Sequence, residues 1–150
     1  MFMKRTTLAL TLVLLILITA IAAGILLVNL AKDEEAAPKL YTCPVSVGEK
    51  TYIIMVETNW TSTPKVYLPE FDSKYVSVDF MGPERATFFF NVTIPADLIW
   101  GEISLICKYY ELSADRYTMS NNGTHISVQM TFYHTATIEH FEIRGTEGAW

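Results

Sequence analysis

From Thr6 to Ala31 the chain carries no charge, and almost every side chain there is Leu, Ile, Ala, Val or Thr. A helix rising about 1.5 Å per residue crosses a hydrocarbon core of about 30 Å in roughly 20 residues, so this run is long enough to span a membrane. No polar face interrupts it, which sets it apart from an amphipathic surface helix. Lys4 and Arg5 precede it, and Asp33, Glu34 and Glu35 close it. That charge order holds the first residues on the cytoplasmic side and sends everything after Lys32 outward. The apolar part of a cleaved secretory leader is only about 7–15 residues long, whereas here it continues from Leu8 through Leu30. The small residues Ala20, Ala22, Ala23 and Gly24 offer a peptidase a site near Ala22, but a cut there leaves Ile25–Leu30 as an exposed apolar end. The run is therefore read as a retained single-pass anchor that meets lipid through residues 6–31, with secretion after cleavage near Ala22 as the alternative. Either route exports the remainder.

Three parts follow: an anchor over residues 1–31, a charged linker over residues 32–42, and an extracytoplasmic domain over residues 43–150. A segment of about 110–120 residues supports one compact domain and not two. It is rich in Tyr, Phe, Ile, Val and Thr, a strand-forming palette. The exported part as a whole, residues 32–150, carries nine Lys and Arg against sixteen Asp and Glu. No basic stripe exists to neutralise phosphates, which excludes nucleic acid as a partner.

Short segments with a period of two, separated by turn residues, fill the domain. Cys43–Val47 and Thr51–Thr58 flank Gly48, Glu49 and Lys50 as an apparent hairpin, and Lys65–Leu68 and Tyr75–Phe80 follow. Arg85–Ile94 alternates most clearly: Ala86, Phe88, Phe90, Val92 and Ile94 share one face and Thr87, Asn91 and Thr93 the other, with Phe89 breaking the pattern. Pro95–Leu98 turns the chain into Glu102–Lys108. Arg116–Ser120 and Thr124–Tyr133 flank Asn121, Asn122 and Gly123, and Asn-Gly is the strongest short hairpin signal. Ala136–Arg144 closes the domain. Seven to nine strands with turn chemistry between them, and no helical period sustained after Leu30, predict an all-β, antiparallel, immunoglobulin-like sandwich behind one N-terminal transmembrane helix. The signature of a true antibody-like domain is missing: Trp60 is plausibly placed, but a leucine, Leu105, stands two residues before Cys107 where a tyrosine is expected.

Three Asn-X-Thr sequons, at Asn59, Asn91 and Asn122, lie on the exported side as candidate glycosylation sites. Asn122 belongs to a hairpin tip and Asn59 to a loop, while Asn91 sits mid-strand. Cys43 and Cys107 are an even pair in an oxidising compartment and a candidate disulfide; two buried free thiols are the alternative. His125, His134 and His140 are expected at solvent-facing strand positions, since their spacing fits no compact metal-ligand motif. Glu139 and Glu142 fall on opposite strand faces as surface carboxylates. No Gly-X-Ser-X-Gly elbow or His-Glu-X-X-His occurs, so neither an enzyme nor a cofactor is expected. Phe89 on an otherwise polar face, Trp60 in its loop and Trp150 at the end are candidate contact aromatics.

The segment Phe90-Asn91-Val92-Thr93-Ile94-Pro95, then Leu98-Ile99-Trp100-Gly101, Asn122-Gly123-Thr124-His125, Phe132-Tyr133-His134 and Glu142-Ile143, resembles a small β-sandwich domain of archaeal cell-surface proteins over residues 75 to 146. The resemblance implies an exported β-sandwich that is often one module of a larger surface protein. This chain departs from it in being a single module with its membrane segment ahead of the domain. Apart from the resemblance, the expected partners of exposed loops and edge strands are an envelope protein, a glycan or a second copy of the chain. The layout also resembles archaeal type IV pilins, which place a long apolar helix before a β-sandwich head and so imply a filament subunit. Their processing site needs Gly or Ala after the basic residues, where this chain has Thr6.

Overall fold

The computed structural model describes residues 37–69, 74–82, 86–134 and 138–149. The expected anchor and Trp150 lie outside them. Among the described residues there is no helix, and ten strands form two antiparallel sheets. One sheet has the order β1 (Lys39–Val47), β2 (Lys50–Thr58), β5 (Ala86–Pro95), β9 (His125–His134), β8 (Thr118–Asn121). The other runs β3 (Lys65–Tyr67), β4 (Tyr75–Met81), β10 (Ile138–Gly148), β6 (Ile99–Cys107), β7 (Tyr110–Glu111). The all-β expectation holds. The strand count exceeds seven to nine because β7, a two-residue strand, carries no period of its own. The first strand opens at Lys39, inside the stretch read as linker.

Alternation decides what lies between the sheets. In one sheet Tyr52, Ile54 and Val56 of β2, Phe88, Phe90, Val92 and Ile94 of β5, and Ile126, Val128 and Met130 of β9 are buried. The other sheet buries Val76, Val78 and Phe80 of β4, Ile103 and Leu105 of β6, and Phe141 and Ile143 of β10. Rings join the two layers: Phe80 stacks on Phe90 at 5.3 Å, and Phe141 meets Phe90 at 4.9 Å and Phe132 at 4.7 Å. Each fully buried Phe contributes about 1.5–3 kcal/mol through area removed from water, and tilted ring pairs add about 0.5–1.5 kcal/mol.

Hairpin chemistry fixes the registers. Gly48, with φ of 58°, takes the first central position of the two-residue β1–β2 turn, a left-handed conformation that glycine adopts freely. The closing pair Val47↔Lys50 sets the odd residues of β1 bonding to β2 and turns the even ones to the open edge. Pro44 is one of those even residues, so the outer edge of β1, unpaired among the described residues, lacks a donor at its middle, which discourages another chain from pairing there.

The β2–β5 ladder ends differently. Its last backbone pairs include Glu57↔Asn91 and Thr58↔Phe90. Beyond them the main chain of Phe89 is held by side chains: its N–H donates to Asn59 Oδ1 at 2.8 Å, and its carbonyl accepts from Thr58 Oγ1 at 2.6 Å. Trp60, expected as an exposed contact, is 4% exposed. Its indole N–H donates to the carbonyl of Met81 at 2.7 Å, and its ring lies 4.4 Å from that of Phe88. A satisfied N–H lets the large ring serve as core.

Candidate functional site

The hairpin from β6 into β7 borders a concavity. Its two turn residues, Lys108 and Tyr109, both have positive φ, 48° and 73°. β7 then pairs only with Ile106 and Cys107, and one further bond runs from Leu112 N to Leu105 O at 2.8 Å. After Leu112 the chain leaves for the other sheet and enters β8 at Thr118. The rest of β6 therefore has no neighbour on that side among the described residues. An open cleft of about 1060 Å³ occupies the gap, lined by Glu102, Ile103, Glu111, Tyr117, Met119 and Arg144 among others.

The backbone takes part in this lining. Lys108 N donates to His140 O, so the even residues of β6 bond to β10 and the odd ones turn their N–H and C=O the other way. The Ile103 side chain belongs to the core, so its main chain faces the cleft. A strand edge of this kind offers directional bonds to an extended partner.

A chain of alternating charges crosses the outer face of β4 and β10 and ends at the cleft. His140 Nδ1 donates to Asp79 Oδ1 at 2.6 Å and Nε2 to Glu142 Oε1 at 3.2 Å. Arg144 donates to Glu142 Oε2 through Nε at 3.0 Å and Nη2 at 2.6 Å, and its guanidinium lies 5.0 Å from the Tyr75 ring centre. Both imidazole nitrogens face carboxylates, an arrangement only the doubly protonated ring satisfies. Burial, the largest influence on His140, lowers its pKa, but the bonds and charges of Asp79 and Glu142 together outweigh it and raise the value. Arg144 is thus neutralised, while Glu102 and Glu111 have no ion-pair partner among the described residues. The cleft presents two carboxylates without an ion-pair partner among the described residues, an open strand edge, and the side chains of Tyr117 and Met119.

A second polar group is internal. His134 is fully buried, packed 4.9 Å from Trp60 and 5.9 Å from Phe88, with neither ring nitrogen hydrogen-bonded among the described residues. Its Nδ1 lies 3.6 Å from Oε1 of buried Glu139, whose Oε2 meets Lys108 Nζ at 2.8 Å. This corrects the expectation of solvent-facing histidines: His134 is core, His125 and His140 half-buried. Glu139 and Glu142 take opposite faces as expected, yet both are buried. Among the described residues no group of three His, Cys, Asp or Glu side chains could hold a metal ion.

The two cysteines are free thiols, in place of the expected bridge. Cys43 belongs to β1, which meets β3 across the sandwich, whereas Cys107 is on β6, three strands from β3. At about 4.8 Å per strand that is a lateral offset of roughly 14 Å, beyond the reach of a disulfide. Burial raises the pKa of both thiols, and for Cys107 the nearby Glu139 carboxylate adds to it. Of the other sequence candidates, Asn59 and Phe89 are brought together by the bond already described. Asn91 is half-buried on β5 and accepts from Ser127 Oγ at 2.6 Å, and Asn122 is exposed at the β8–β9 tip. Among the described residues the most exposed large hydrophobic side chains are Tyr109 and Tyr110, at the hairpin no turn signal announced. No protein-family model matches this chain, and neither a curated protein nor a solved structure matches it.

Proposed function

We propose that this chain is a membrane-anchored surface protein whose sandwich, immunoglobulin-like in its layering, works outside the cell as a binding or structural module of the envelope. The observation that carries the reading is the uncharged run from Thr6 to Ala31, set behind Lys4 and Arg5 and ahead of an all-β domain whose first strand opens at Lys39. In this reading the apolar run lodges in lipid and tethers the domain that follows it. The cleft beside β6 is then the surface that meets an envelope protein, a glycan or another copy, with its strand edge and carboxylates setting the geometry.

The test is topological. A tag at the carboxyl end of the full chain should be removed by protease added to intact cells, while the remaining chain stays in carbonate-washed membranes. A tag that survives until the cells are opened refutes the reading. Native filaments built from a chain that has lost Met1 and its basic neighbours would replace it with a pilin-like subunit.

A further inference from the structure

We propose that Asn122 is the residue of this chain that carries an N-linked glycan. All three sequons end in threonine, and the fold treats their asparagines differently. At Asn122 the carboxamide oxygen accepts three bonds, from Thr124 N at 3.0 Å, Thr124 Oγ1 at 2.9 Å and His125 N at 2.8 Å. Two of those donors are backbone N–H groups, which identifies the acceptor as oxygen and directs Nδ2 away from the turn. The side chain is exposed, as are Asn121, Gly123 and Thr124 around it. The hydroxyl of Thr124, the third residue of the sequon, is already on the Asn122 amide.

Asn59 and Asn91 have no such freedom. The oxygen of Asn59 terminates the β2–β5 ladder on Phe89 N, between buried Thr58 and buried Trp60. Asn91 lies mid-strand in β5, opposite Glu57 on one side and Gln129 on the other. A transferring enzyme must draw the sequon away from the protein surface. For Asn91 that breaks ladders with both β2 and β9; at the tip the main-chain bonds to be strained are Asn122 N to His125 O at 3.1 Å and Ala96 N to Thr124 O at 2.9 Å.

The sugar arrives on a lipid carrier, activated as a phosphoester. A C–N bond forms between Nδ2 and the anomeric carbon, and the carbon–oxygen bond to the carrier breaks. That electron pair leaves with the carrier phosphate, and one amide proton passes to a base of the transferring enzyme. The inference rests on the export reading above, since that is the side where such carriers present their sugar.

Peptide mass mapping of the full-length protein from its native membranes should show a glycan on the peptide containing Asn122, with the Asn59 and Asn91 peptides bare. Thr124→Ala should abolish the modification and Thr124→Ser should retain it. A bare Asn122, or a glycan at Asn59 or Asn91 in its place, overturns the assignment when protease shaving of the same cells shows the domain outside. Shaving that finds the domain inside overturns export and glycan together.

Discussion

Replacing His140 by Gln should remove a pH-dependent part of the stability of the domain. The imidazole lies 2.6 Å from Asp79 Oδ1 and 3.2 Å from Glu142 Oε1, and these neighbours raise its folded pKa above the usual 6.5 despite the opposing influence of burial. A basic group whose folded pKa is raised stabilises fully below its unfolded pKa, and that contribution fades as pH climbs through the folded value. Charged hydrogen bonds contribute about 1.5–3 kcal/mol where solvent is excluded. The ring is 28% exposed, so screening brings the expected pH-dependent part down to about 1 kcal/mol. Urea unfolding of the wild type should therefore show a loss of about 1 kcal/mol between about pH 6 and about pH 9. His140→Gln should be weaker at the acidic end and should lack that loss when its profile is subtracted from the wild type's, because the amide still donates one hydrogen bond but cannot neutralise Asp79 and Glu142. His125 and His134 are present in both proteins and cancel in the comparison. Parallel profiles for wild type and variant would refute the charge-chain account.

Two further substitutions test the β6 hairpin and the cleft. Tyr109→Gly should stabilise the domain by about 0.5–1 kcal/mol, since it removes a left-handed tyrosine that is 90% exposed and packs little; a lower urea midpoint would show that the ring packs after all. Gly101→Ala should destabilise by about 2–4 kcal/mol, because φ is 83° and the added methyl would overlap the Thr146 side chain. Combining it with Thr146→Ala should recover the steric part and leave about 1–2 kcal/mol, and a double variant no more stable than the single one would rule out the clash.

Layers and faces were legible from the period of two, and Phe88, Phe90, Val92 and Ile94 took the face their spacing assigned. Residue type misled where face would not have. His134 continues the inward row of Ile126, Val128, Met130 and Phe132, and Glu139 shares the side of Phe141 and Ile143. Both were read as surface groups because they are polar, although a strand has no means of turning one residue out of its row without a bulge. Trp60 misled in the opposite way: a loop position suggested exposure, but a carbonyl within reach of its N–H let the ring turn inward. Neighbour relations are a different matter, because alternation assigns a face and never names the adjacent strand. The cleft arises from unequal partners, nine residues in β6 against two in β7. What ends β7 so early is the departure of the chain after Leu112 toward the other sheet, and what begins it is a Lys108–Tyr109 turn lacking the Asn or Gly such turns favour. The candidate site is therefore set by where the chain changes sheets, which local composition does not encode; the side chains around it, Glu102, Glu111, Tyr117 and Met119, acquire a common role only because that crossing leaves a strand edge bare between them.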